Sequence, residues 1–188
     1  MTKKDILIAI ILALSIAVLA VIVIDLLSPK PAEVDRGFLE EACGPLRWRG
    51  VDLPIALAFD PGTVPWADTV REAAQAWNEV LKLEAFRLRE EPRAVRVGSA
   101  AGDSSHGKTI LQWDASCRIV GAQVKLPALP ETRVGRLNVA EHELGHVLGL
   151  AHDGSERSIM APKVGVSLRG TILETDIALL RITFDKEG

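Results

Sequence analysis

His142 and His146 are four residues apart, a separation that on a helix sets two imidazoles on one face, one turn above the other. Nitrogens so placed can converge on a single metal ion at about 2.0–2.1 Å. Glu143 follows about 100° round the same helix, near such an ion but not aimed at it. That is where a general base for a metal-activated water belongs. Gly149 can adopt positive φ at little cost, which lets the chain end the helix and turn sharply. The turn brings His152 back beneath the ion as a third ligand. Three neutral imidazoles leave one position open to water, the arrangement of a catalytic zinc site rather than a closed structural one.

The elements that must hold these groups can be read outward from the motif. Ala140, Leu144, Val147 and Leu148 fall on the opposite face of the same helix and give it a core to pack into. Asn138 followed by Glu141 reads as an N-cap with a capping-box partner. Upstream, Val51 to Phe59 reads as a strand ending in an Asp60-Pro61-Gly62 turn. From Pro65 to about Leu83 the residues Val70, Ala73, Ala74, Trp77, Val80 and Leu81 recur at helical spacing. Trp77 reads as a core anchor. Short alternating strands are expected at Phe86 to Arg89, Ala94 to Val97, Thr109 to Trp113 and Ile119 to Leu126. A helix beginning at Glu174 closes the chain. This order predicts an α+β domain with helices against one twisted, mixed β-sheet.

At 188 residues and 48% hydrophobic content there is room for one domain with a substantial core. A net charge of -3 without a Lys/Arg cluster gives no surface for nucleic acid. The N-terminus is different in kind. Lys3 and Lys4 precede an apolar run from Ile6 to Ile24, which as a helix spans about 28 Å, close to the thickness of a hydrocarbon core. The expectation is an uncleaved single-pass anchor, residues 1–28, with its N-terminus cytoplasmic and the rest of the chain outside. Cleavage after Val18-Leu19-Ala20 is the alternative, and it yields a secreted protein. Residues 29–44 form a linker that begins with Pro29-Lys30-Pro31, and 45–188 the folded domain. The two cysteines, Cys43 and Cys117, suit a disulfide in an extracytoplasmic domain.

His142-Glu143-x-x-His146-x-x-Gly149-x-x-His152, followed by Ser158-Ile159-Met160-Ala161-Pro162, resembles the metzincin metalloproteases, most closely their matrixin branch. The resemblance runs more weakly from about Trp48 to the C-terminus. It implies a zincin-like domain with an active-site helix and a C-terminal helix, one catalytic zinc, and a peptide or protein substrate. It also implies that Met160 forms a hydrophobic floor under the imidazoles and that Pro162 lines a substrate pocket. Ile119 to Leu126 is expected as the edge strand along which an extended substrate aligns. Cleavage is then expected in unfolded segments with an apolar residue just after the cut.

Departures from the family pattern matter as well. Matrixins carry a structural zinc and calcium in the loop corresponding to Gly98 to Lys108. Here only Asp103 and His106 are available, so no structural zinc or calcium is expected. Matrixin propeptides offer a Cys-Gly to the zinc, which makes Cys43-Gly44 a candidate latency switch, although the surrounding residues differ. The chain has no Tyr, which excludes the extra tyrosine ligand of astacin-like and serralysin-like relatives. The main reading is a zinc-dependent endopeptidase. The rivals are an inactive metzincin-fold module acting as an envelope binding protein and a zinc amidohydrolase on non-peptide substrates. Intact Glu143 and three histidines argue against the first rival.

Overall fold

Ile55–Phe59 (β1) is apolar throughout, the pattern of a strand covered on both faces rather than one alternating between core and solvent. In the computed structural model it pairs on both edges, with Phe86–Leu88 (β2) and with Val95–Ser99 (β3), both parallel. Lys108–Trp113 (β4) and Ile119–Leu126 (β5) complete a five-stranded sheet of order β2-β1-β3-β5-β4. β3 and β5 are parallel, while β4 runs antiparallel to β5 through a tight connection. The structure describes residues 46–48, 52–100, 106–128, 132–162 and 170–184. The chain divides into two units, of which Gly37–Gly188 contains all of these and Met1–Arg36 lies outside them.

The sheet order corrects one expectation. β5 is interior, bonded to β4 along its length and to β3 over Gln123 to Leu126, so this second half of the strand has no free edge to offer. β4 is the edge strand on this side of the sheet, as β2 is on the other. The two strands form a hairpin, and sequence proximity does not say which of its arms is tucked against β3.

Ala67–Leu81 (α1), entered through a short 3-10 turn at Val64–Trp66, buries Val70, Ala73, Ala74, Trp77 and Leu81 on one stripe. Asn78 ties its end to β2: the side-chain oxygen accepts from the backbone N–H of Ala85 and Phe86, and the amide donates to the Phe86 carbonyl. Arg133–Val147 (α2) packs on α1, β5 and β4. It starts earlier than the sequence suggested. Thr132 is the N-cap, its hydroxyl accepting from Gly135 N–H at 3.0 Å. Asn138 and Glu141 are instead buried inside the helix, and the Asn138 side chain accepts from Gly170 N–H. Glu174–Phe184 (α3) packs on α1, burying Ile177 and Leu180.

At the other end, Leu46 to Trp48 lies along α2 and β5. The Arg47 carbonyl accepts from Ile119 N–H at 2.8 Å, and the Trp48 indole donates to the Val147 carbonyl at 2.7 Å, satisfying one of the helix's last acceptors. Cys117 is disulfide-bonded, and its expected partner Cys43 lies outside the described residues. Among the described residues no helix is long and apolar enough to cross a membrane. The expected anchor, Ile6 to Ile24, lies outside them.

Candidate metal centre and active site

α2 ends in a Schellman turn. Gly149 takes φ +98°, its N–H donates to the His146 carbonyl at 3.0 Å, and Leu150 N–H reaches back to the Gly145 carbonyl at 3.1 Å. Glycine is required here twice over, since a β-carbon would also run into the Leu46 carbonyl. The turn folds the chain back so that the His152 ring lies 4.8 Å from that of His146 and 5.2 Å from that of His142, between centroids. The sequence-predicted ligands therefore come together. One ligand atom from each of the three lies within 4.8 Å of the others.

The hydrogen bonds decide what these rings can hold. His142 Nδ1 lies 2.7 Å from the Ile159 carbonyl, and His146 Nδ1 lies 2.7 Å from the Leu150 carbonyl. A carbonyl only accepts, so each Nδ1 carries its hydrogen, and in the neutral ring Nε2 is then a lone pair. The two Nε2 atoms face each other at 3.0 Å. Two lone pairs at that distance repel unless a cation lies between them. Nitrogens bound to one ion at about 2.0–2.1 Å can be up to about 4.1 Å apart, so this pair fits directly. His142 and His146 are buried, whereas His152 is exposed and can close the remaining gap by rotating its side chain. A donor set of three imidazoles suits zinc.

The segment around Met160 contacts one ligand directly and the chain neighbours of the other two. Ile159 supplies the carbonyl that orients His142. The Met160 carbonyl accepts from Asp153 N–H at 2.8 Å, next to His152. The Met160 thioether, fully buried, packs on Gly145 beside His146. The turn itself is fastened to α3. Met160 N–H donates to the Ser158 hydroxyl at 2.9 Å, and Ser158 is hydrogen-bonded in turn to the Asp176 carboxylate. That carboxylate also accepts from Leu173 N–H at 2.9 Å. Burial pushes the Asp176 carboxyl above its ordinary value; the Leu173 N–H opposes this, the nearby Asp153 adds to it, and the Ser158 hydroxyl opposes it.

Glu143 is 4% exposed, on the same turn of α2 as the two buried ligands. Its carboxylate reaches the start of β4. Thr109 Oγ1 lies 2.6 Å from Oε2 and 3.1 Å from the Glu143 carbonyl, and a β-carbon on Gly107 would collide with Oε1. Pro162 is exposed, two residues past Met160, and the residues that follow it, 163–169, lie outside the described residues. His106 is exposed, and Asp103 lies outside the described residues.

Sequence reasoning passed over Thr109, Gly107, Gly145 and Asp176. Gly145 left a signal, because glycine within a helix is unfavourable by about 1 kcal/mol relative to alanine and implies a close neighbour. The contact between Thr109 and Glu143 spans 34 residues and left none.

The matrixin family model matches residues 50–179. Among solved structures, myroilysin aligns with a TM-score of 0.55 at 15% identity, over 83% of this chain and 88% of that one. High choriolytic enzyme 1, a hatching enzyme zinc-protease from Oryzias latipes (medaka fish), aligns with a TM-score of 0.48 at 15% identity, over 77% of this chain and 96% of that one. No curated protein sequence matches the chain. The likeness to myroilysin is one of fold. The family match, spanning well over half the chain and enclosing the histidine triad, goes further: the chain belongs to the matrixin family and is a zinc metalloendopeptidase.

Proposed function

We propose that His142, His146 and His152 hold one zinc ion and that Glu143 is the general base that activates water for peptide-bond hydrolysis. The observation that carries the reading is the pair of facing Nε2 lone pairs, 3.0 Å apart, with the buried Glu143 beside them. Zinc, when bound, supplies Lewis acidity that polarises the scissile carbonyl and acidifies water. Glu143 takes a proton from the attacking water and returns it to the leaving amine, base and then acid. The Ile159 and Leu150 carbonyls keep the two buried imidazoles in the tautomer that presents Nε2. Met160 fills the space under α2 and keeps the helix at a fixed height above the turn.

Substrate alignment falls to β4 rather than β5. β4 is the sheet edge next to Glu143, and an edge strand offers unpaired N–H and C=O groups to an extended peptide. Backbone pairing of this kind favours unfolded segments, with selectivity for an apolar residue after the cut left to a pocket beside Pro162. We also propose that the Ile6 to Ile24 run tethers the domain to a membrane with the catalytic part outside, a reading that rests on its length and on Lys3 and Lys4.

The test is a pair of variants in a peptide-hydrolysis assay with parallel zinc analysis. Glu143→Ala should keep one zinc per chain and lose hydrolysis, and His152→Ala should lose zinc. Substantial turnover by Glu143→Ala, or zinc lost together with the carboxylate, would remove Glu143 from the role of base.

A further inference from the structure

The start of β4 is built around the Glu143 carboxylate. Thr109 Oγ1 approaches two acceptors, Oε2 at 2.6 Å and the Glu143 carbonyl at 3.1 Å, but a hydroxyl has one hydrogen to give. The shorter contact falls in the range of a charge-assisted O–H···O⁻ bond, so the hydrogen goes to the carboxylate. Thr109 is buried and sits in a strand paired to Val124, and its β-branched side chain has little χ1 freedom. The hydroxyl is therefore held in place by the sheet rather than by Glu143. At the same carboxylate, Gly107 presents a bare α-carbon where any side chain would collide with Oε1. One residue fixes an oxygen, and the other leaves space for the second.

We propose that Thr109 is a positioning residue for the reaction: its hydroxyl sets the orientation of the Glu143 carboxylate and hence the aim of the proton transfer. This rests on the reading of Glu143 as base. The Thr109 hydroxyl makes both of these contacts with Glu143, so its loss should act on the chemical step rather than on metal or substrate binding. Replacing the hydroxyl by a methyl group removes the donor at nearly constant volume, and the glutamate side chain then samples rotamers that misdirect the proton.

The experiment compares Thr109→Val and Thr109→Ser with the unmodified, zinc-loaded full chain, by steady-state kinetics, zinc content and thermal unfolding. Thr109→Val should lose about 10- to 100-fold in kcat, by analogy with the loss of a hydrogen-bonding partner that orients a metal ligand. KM should stay within about twofold, with one zinc bound and unfolding little changed. Thr109→Ser, which restores the donor, should recover most of the loss. Should the valine variant fail to fold, Thr109→Ala serves in its place. Unchanged kcat in a folded variant without the hydroxyl, a loss carried by KM or by zinc, or a serine variant no better than valine would each overturn the proposal. Glu143→Ala separates the two claims. An inactive Glu143→Ala beside a fully active Thr109→Val sinks only the positioning role, whereas an active Glu143→Ala sinks both.

Discussion

The Met160 thioether occupies the space that a β-carbon on Gly145 would need, and the Trp77 ring closes the same space 3.0 Å from that position. Trp77 is not free to retreat, because its indole donates to the Glu141 carbonyl at 2.9 Å. Gly145→Ala should therefore push α2 off the turn, at a cost of about 1–3 kcal/mol for overpacking. Thermal unfolding should fall, and zinc should bind more weakly because His142 and His146 move with the helix. Adding Met160→Ala to that variant should recover part of the loss, and a double-mutant cycle measures the coupling. Strict additivity would show that the two residues do not share this space.

Gly149 should tolerate no other residue. Positive φ is unfavourable by about 1–2 kcal/mol for a residue with a β-carbon, and the Leu46 carbonyl adds a steric clash. Gly149→Ala should lower the unfolding temperature and weaken zinc binding more than it lowers helix content, because the turn places His152. Circular dichroism with a zinc-chelator competition separates the two effects.

Prolines in the hairpin distinguish its two strands. Val124→Pro interrupts a strand bonded on both edges and should unfold the domain. In β4 every second N–H faces away from β5, so of Ile110→Pro and Leu111→Pro one should leave unfolding nearly unchanged and raise KM for an extended peptide. A KM untouched by either would leave β4 without a part in substrate alignment.

Asp176 gives a pH dependence with a definite sign. Burial raises its folded-state value above the unfolded one, so in the window between them the folded state holds a proton that the unfolded state has released. The contribution is complete below the unfolded value, about 3.9, and is lost as pH rises through the folded value. Asp176→Asn keeps an acceptor for Leu173 N–H and removes the titration. Its stability relative to the parent should therefore increase as pH rises from about 4 across that window, read from urea midpoints on zinc-loaded samples. A parent-minus-variant difference that stays flat would mean that the carboxyl titrates alike in both states.

Zinc removal should destabilise the domain, since the ion binds the folded chain and a hundredfold excess over Kd contributes about 2.7 kcal/mol. Chelation should lower the unfolding temperature and added zinc should restore it. Calorimetry reads both.

The site was legible where its residues are close in sequence. His142, Glu143, His146, Gly149 and His152 lie within one helix and one turn, and local geometry was enough to bring the three imidazoles together. The bounds of β5 were readable too, because an apolar run between a turn and Pro127 has few alternatives. What failed was spatial order. The sheet places β5 inside β4, and no local pattern encodes which arm of a hairpin meets a third strand. Asn138 and Glu141 mimicked a cap because the same residue types also serve as buried hydrogen-bonding groups, in the case of Asn138 to Gly170. The Thr109 hydroxyl and the Asp176 carboxylate depend on contacts across the fold and left no trace in spacing.

The docking of Leu46 to Trp48 has a mechanical side. A movement of this segment does not fall on the sheet alone. It is carried by the Trp48 indole to the last turn of α2, by the Arg47 carbonyl to the first residue of β5, and by the Leu46 carbonyl to the face of Gly149. Two of these three attachments lie on the turn that sets His152. Displacing Leu46 to Trp48 should therefore disturb the turn that sets the least buried of the three ligands, which couples the packing of this segment to the metal centre.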